Sequence, residues 1–371
     1  MPSNAPRACL SWSFSWLWAM HLMAWFFAGV SLAGCASQPR HQFISGEHGL
    51  IDIAPLPSGA YTEGNSAAWL QFLLKASFNG YSQKVTLPRL VAPPAEVRAG
   101  LAQLQRTPMG VLWIGHSTFL IRIGGITILT DPVFSAAAAP LQAGGPQRYA
   151  PPALEIAELA HIDVILVSHN HYDHLDDGSL ARLGQRFPDA KLLLPAGNEL
   201  HGLLAGLTKT LPVIAGQVVN VAGVRITALP AYHETSRYGL DAHQTEALGY
   251  SLRASGGGSI YFAGDTAYGP MFKKFRAAFG DHDAALVPIG AYEPRKEVRF
   301  IHASPEEGLR IATDVGAKIA VGMHWGTFPL SQEPVLEPAR RFMRAARQGS
   351  ARPVALRIGG YLNLAPYRQG D

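Results

Sequence analysis

Six residues near the middle of the chain concentrate ligand chemistry: His169-Asn170-His171-Tyr172-Asp173-His174. Imidazole nitrogen and carboxylate oxygen suit zinc and similar divalent ions. His169 and His171 are two apart, so on a turn after a strand both can face one cation. Asp173 and His174 can then turn to a second. Two cations repel each other and need a bridging carboxylate, for which the isolated Asp265 is the candidate. His233 and His324 complete three positions on each side. The ordinary alternative is a set of surface turn residues or satisfied core histidines. Four ligand-type residues in six positions after an apolar run argue against it. His161, His201, His243 and His282 have no partner pattern and read as ordinary surface residues.

These positions share one placement. Val164–Val167 is a buried-strand pattern and runs into the six-residue cluster. Val224–Leu229 precedes His233, Ser259–Phe262 precedes Asp265, and Ile319–Val321 precedes His324. Strand ends are where loops gather into a site in α/β sheets. Val111–Ile114, Phe119–Ile123 and Ile126–Thr130 read as a meander turned at Gly124-Gly125. Leu192–Leu194, Gly249–Leu252 and Ala284–Val287 read as further strands. Helices fit Ser179–Arg186, Met271–Phe279, Pro305–Asp314 and Pro334–Arg347. The third is best signalled, with Ser304 as N-cap, Pro305 at the first position, Glu307 at the third and Gly316 beyond the end. Alternating strands and helices predict a layered α/β domain over residues 109–371.

The rest of the chain is set apart by composition. Of 371 residues, 48% are hydrophobic and 16% charged, which suits a globular protein. Residues 8–34 contain no charged residue and follow Arg7, the pattern of a targeting segment over 1–34. Leu32-Ala33-Gly34-Cys35 resembles the lipobox of bacterial lipoproteins, which implies a diacylated Cys35 and attachment to the periplasmic face of a membrane. An uncleaved transmembrane anchor is the alternative. Cys9 and Cys35 are the two cysteines, so a metal site in the mature domain must use histidine and carboxylates. Residues 35–108 are punctuated by proline and read as a linker and N-terminal extension, with short helices at Ala67–Phe78 and Pro94–Gln105. The net charge of +4 forms no long patch or basic arm. Nucleic acid is therefore not an expected partner, while an anionic small molecule or a lipid surface is compatible.

The cluster with the following Leu175-Asp176 is similar to the signature of the metallo-β-lactamase superfamily. The likeness is closest to the branch of N-acyl-phosphatidylethanolamine-hydrolysing phospholipase D. It rests on Trp113–Thr118, Leu129–Ser135, Ser168–Asp176, Phe262–Thr266, Pro288–Arg295, His302–Glu307 and His324–Phe328. The resemblance implies a four-layer αβ/βα sandwich holding two divalent ions, zinc first, with iron and manganese also compatible. It assigns His169, His171 and His233 to one metal and Asp173, His174 and His324 to the other, with Asp265 bridging. It places His302 beside the metals against phosphate, and His116, Asp131 and Asp176 as supporting residues. A phosphodiesterase acting on phospholipid by attack of a metal-bridging hydroxide is implied, with Asp173, Asp265 and His302 as its catalytic residues. Arg295 is a candidate for added charge at the rim or an ordinary turn residue. The sequence departs from the branch at Ala247-Leu248-Gly249-Tyr250, where relatives carry a Trp-Gly pair. A lactonase or another metallo-hydrolase of the superfamily is the alternative, then a non-catalytic lipoprotein scaffold.

Overall fold

The computed structural model describes residues 42–46, 49–53, 90–139, 145–237, 241 and 244–368. The expected targeting segment, Cys35, the helix over 67–78 and His243 lie outside the described residues. Strands β1 (Gln42–Gly46) and β2 (Gly49–Ile53) pair antiparallel. Helix α1 (Pro94–Leu104) then leads into the meander β3 (Met109–Gly115), β4 (Thr118–Ile123) and β5 (Ile126–Thr130). Next come β6 (Val164–Leu166), α2 (Asp177–Arg186), β7 (Lys191–Pro195), α3 (Glu199–Leu204) and β8 (Lys209–Val213). The second half holds β9 (Val218–Val221), β10 (Val224–Pro230), β11 (Leu248–Ala254), β12 (Ser259–Phe262), α4 (Met271–Phe279) and β13 (Ala284–Pro288). It ends with α5 (Arg295–Val298), α6 (Pro305–Asp314), β14 (Ile319–Met323), α7 (Glu337–Arg344), β15 (Arg352–Val354) and β16 (Tyr361–Asn363).

Two seven-stranded sheets result, in the orders β16-β3-β4-β5-β6-β7-β8 and β15-β14-β13-β12-β11-β10-β9. Strand alternation explains the layering. On β3, Val111 and Trp113 face a core shared with the second sheet, whereas Leu112 and Ile114 face Val97, Leu104, Leu180 and Leu183 of α1 and α2. On β6, Val164 and Leu166 point one way and Ile165 the other. The outer face of the second sheet packs on Phe272 and Phe275 of α4, Leu309 and Ile311 of α6 and Phe342 of α7. This is the expected αβ/βα sandwich. Within it β5–β6–β7 and β12–β13–β14 run parallel, so their carboxyl ends open on one rim of the molecule.

Local sequence explains the elements nearest the site. The Asp176 carboxylate caps α2 by accepting from the Gly178 amide at 3.2 Å. Ser304 and Glu307 form a reciprocal capping box on α6. The last predicted helix is shorter than Pro334–Arg347: α7 starts at Glu337 and passes into a 3-10 turn, Ala345–Arg347. Among the described residues no helix is long and apolar enough to cross a membrane.

Candidate metal centre

Every expected ligand sits at the end of a strand on that rim. His169, His171, Asp173 and His174 follow β6, His233 follows β10, Asp265 follows β12 and His324 follows β14. The structure brings all seven together. His171 Nδ1 lies 2.9 Å from His169 Nε2 and 3.2 Å from His233 Nε2. Asp173 Oδ2 lies 3.4 Å from both His174 Nε2 and His324 Nε2. Asp265 Oδ2 reaches across both groups, at 3.3 Å from His174 Nε2, 2.9 Å from His324 Nε2 and 3.9 Å from His233 Nε2. Ligands about 2.0–2.1 Å from a tetrahedral ion sit about 3.3 Å from one another, so this spacing fits a divalent cation in each group. The donor chemistry fits too, being imidazole and carboxylate without thiol. Buried His174 Nε2, His324 Nε2 and Asp265 Oδ1 have no hydrogen-bond partner among the described residues. Leaving such atoms unmet is costly unless a cation takes them up.

Neighbouring residues decide which ring nitrogen faces inward. The Ser168 hydroxyl donates to Asp131 Oδ2 at 2.8 Å and receives His169 Nδ1–H at 2.9 Å. His174 Nδ1–H donates to Asp131 Oδ2 at 2.7 Å, and His233 Nδ1–H to the Ile301 carbonyl at 2.7 Å. These partners assign the tautomers and leave each Nε2 bare toward the cluster. His116 lies 2.8 Å from Asp173 Oδ2 and orients that carboxylate. It also stands within ligand reach of Asp173, His174 and His324. The expected support from His116, Asp131 and Asp176 therefore has a concrete form. Asp176 adds bonds from the Ser135 amide and hydroxyl at 3.2 and 2.5 Å.

Backbone strain gathers here. His116, Asp131 and His324 take positive φ angles of 54°, 32° and 63°. Such conformations cost about 1–3 kcal/mol each and persist where the surroundings dictate them. The packing around His324 is correspondingly tight. Its carbonyl would meet a Cβ at Gly290 at 1.9 Å, so only glycine permits that approach.

Electrostatics separate the two groups. Burial, with repulsion from the nearby histidines, holds His169 well below the ordinary histidine range, and burial takes His233 down to about 3 and His171 to about 4. These rings are neutral at pH 7, the state that binds metal. Burial also pushes on Asp173 and Asp265, upward, but His174 and His324 override it and hold both carboxylates well below their usual range. Against burial, Asp265 and Asp173 raise His174 well above its usual value and His324 to about 9. In the second group two protonated rings therefore face two ionised carboxylates, and a cation binding there would displace the ring protons.

His302 stands at the mouth, its side chain 14% exposed, with Nδ1 3.8 Å from Asp265 Oδ2. Its ring centre is 4.9 Å from His233 and 5.4 Å from His324. Arg295 is engaged rather than free at the rim. Its Nη1 donates to the His302 carbonyl at 2.6 Å, and Nη2 pairs with Glu307. One expectation is corrected: His282 is not a surface residue. It is fully buried, 2.8 Å from Ser251 Oγ and 3.1 Å from the Val315 carbonyl. Its flanking Asp281 and Asp283 give the segment a loop-like polarity that hides an inward-facing ring. Of the others, His161 lies 3.0 Å from Asp163 and His201 lies 2.5 Å from Asp177. Sequence reasoning missed Arg237, whose partners on the ligand loop are 62 and 67 residues away.

A strand-end cluster of this kind between two mixed sheets defines a metallo-hydrolase fold. The family model described as a beta-lactamase superfamily domain matches residues 127–325, and the chain belongs to the metallo-β-lactamase superfamily. Over 237 residues it is 34% identical to N-acyl-phosphatidylethanolamine-hydrolyzing phospholipase D 1 of Caenorhabditis elegans, covering 61% of this chain and 66% of that one. Over 245 residues it is 37% identical to an uncharacterized protein of Mycobacterium tuberculosis, covering 64% of each. The chain thus spans somewhat less than two thirds of these relatives. A metallo hydrolase from the archaeon Ignicoccus hospitalis shares the fold, with a TM-score of 0.51 at 19% identity over 68% of this chain and 97% of that one.

Proposed function

We propose that the protein is a dinuclear metal-dependent phosphodiesterase that cleaves N-acyl-phosphatidylethanolamine-type phospholipids. The observation that carries the reading is the convergence of seven ligand-type side chains in two groups joined by Asp265. In this reading His169, His171 and His233 hold one cation, zinc first, and Asp173, His174 and His324 the other. Bound divalent ions would lower the pKa of a water and offset charge growing on phosphoryl oxygens.

The chain's own residues supply the rest. Ser168, Asp131, Ile301 and His116 keep the inner faces of four of these residues pre-oriented, so little is reorganised as charge develops. His302 is held neutral chiefly by burial, and its Nδ1 is unpartnered among the described residues. As a neutral ring it is placed to hydrogen-bond a phosphoryl oxygen, and to pass a proton to the leaving group only after taking one up from water. Asp173 and Asp265 stay ionised and serve as ligands rather than as acids.

The name of the nematode relative supports the lipid substrate, and the lipobox-like Leu32–Cys35 supports attachment at a membrane where such a substrate lies. The test is a panel of N-acylated phosphatidylethanolamine, unmodified phosphatidylethanolamine and an acyl lactone, given to purified, metal-analysed protein. Phosphatidic acid released from the first, read by mass spectrometry, is the expected result. Lactone opening without phosphatidic acid would select the lactonase reading instead.

A further inference from the structure

One buried arginine grips the loop that carries four of the candidate ligands. Arg237 lies four residues after His233 and is 6% exposed. Its Nη1 donates to the carbonyls of Asn170 at 3.0 Å and Leu175 at 2.7 Å, which bracket His171–His174. Its Nη2 donates to Asp177 Oδ2 at 2.7 Å. The guanidinium carbon stands 4.1 Å from the centre of the Tyr172 ring. The Arg237 amide donates to Asp241 at 2.8 Å, and the same carboxylate accepts from Asn170 Nδ2 at 3.3 Å. An ion pair with the half-exposed Asp177 gives too little to bury a guanidinium. The two carbonyls and the ring add to that pair, leaving Nε without a hydrogen-bond partner among the described residues, and only a planar fork can meet all of them together.

The grip falls where the site lacks another. His169 is braced by Ser168, and His233 by the Ile301 carbonyl. Among the described residues the His171 ring contacts only His169 and His233. Its two chain neighbours, Asn170 and Tyr172, are both held by Arg237. We infer that Arg237 is a positioning residue that sets His171 against His233 and so defines the first metal position, an inference that rests on the two-metal reading above. It does not touch metal or substrate. Because Arg237 and His233 share one segment, the fork ties the register of that segment to the β6 loop.

The test uses the purified full chain, stripped and reloaded with Co2+, in competition with a chelator and followed by the visible Co2+ spectrum. The wild type should show two binding steps. Arg237→Gln should weaken one step at least tenfold and leave the other within about threefold, and Arg237→Lys should not restore it. Far-UV circular dichroism of the metal-free variants checks the fold. Unchanged affinity at both steps, or equal weakening of both, would overturn the inference. Should Arg237→Gln not fold, Asp177→Asn frees one end of the fork and should weaken the same step a few-fold. No change at either step in that variant also overturns it. The readout is metal affinity, so it does not depend on whether a phospholipid is cleaved.

Discussion

At the residue scale, the two nitrogens of one ring divide the work. His174 spends Nδ1 on Asp131 and turns Nε2 toward Asp173 and Asp265. His302 differs, because its ring sits at the mouth and its backbone is fixed by the Val298 carbonyl and by Arg295. In the proposed reading a group placed there acts on substrate rather than on metal retention, although it also stands within ligand reach of His233 and Asp265. His302→Ala should therefore keep full metal content while turnover falls by about 10²-fold, the lower range for a lost acid–base group. Metal analysis beside a turnover assay checks this, and metal loss in the variant would make His302 a ligand instead.

At the element scale, α6 carries its start signal in Ser304, two residues beyond His302. Ser304→Ala removes the cap and should lower stability by about 1 kcal/mol, read as a shift in urea midpoint. His282 gives a pH-dependent counterpart, since it ties the end of α6, through the Val315 carbonyl, to Ser251 on β11. Burial drops its pKa to about 3, below the ordinary 6.5. The unfolded chain binds this proton below about pH 6.5, whereas the folded chain refuses it until about pH 3. Stability falls over that window as pH falls, by at most about 1.4 kcal/mol per pH unit for the one group. His282→Gln should flatten the loss between pH 7 and pH 5 relative to wild type in urea unfolding. A slope equal to that of wild type would contradict the assignment.

The elements were legible where hydrophobic runs were unambiguous. Ile126–Thr130, Ser259–Phe262, Met271–Phe279 and Pro305–Asp314 fall where periodicity and caps place them. Strands β8 and β9 were missed. β8 reads Lys-Thr-Leu-Pro-Val, lies at a sheet edge and is largely half-exposed, so it has neither alternation nor a continuous apolar run. β15 and β16 are three residues each and owe their strand form to their neighbours β14 and β3. The seven candidate ligands could be read because each follows a strong strand. Arg237 could not, because its partners are distant in sequence and nothing local marks it.

At the scale of the whole molecule, the site joins the two halves of the sandwich. The first sheet supplies His169, His171, Asp173 and His174, and the second supplies His233, Asp265 and His324. Cations held there would tie one sheet to the other and bind the folded state alone. Stripping them should lower stability by about 2.7 kcal/mol for each ion at a free metal concentration of 100 times its Kd, checked by thermal unfolding before and after chelation. The direct measurement of the central claim is metal stoichiometry by elemental analysis of purified wild type and Asp265→Asn. The predicted result is about two divalent ions per wild-type chain and one or none in Asp265→Asn, with the fold retained. A wild type that binds no metal after reconstitution, or an Asp265→Asn protein that keeps both ions at wild-type affinity, would contradict it.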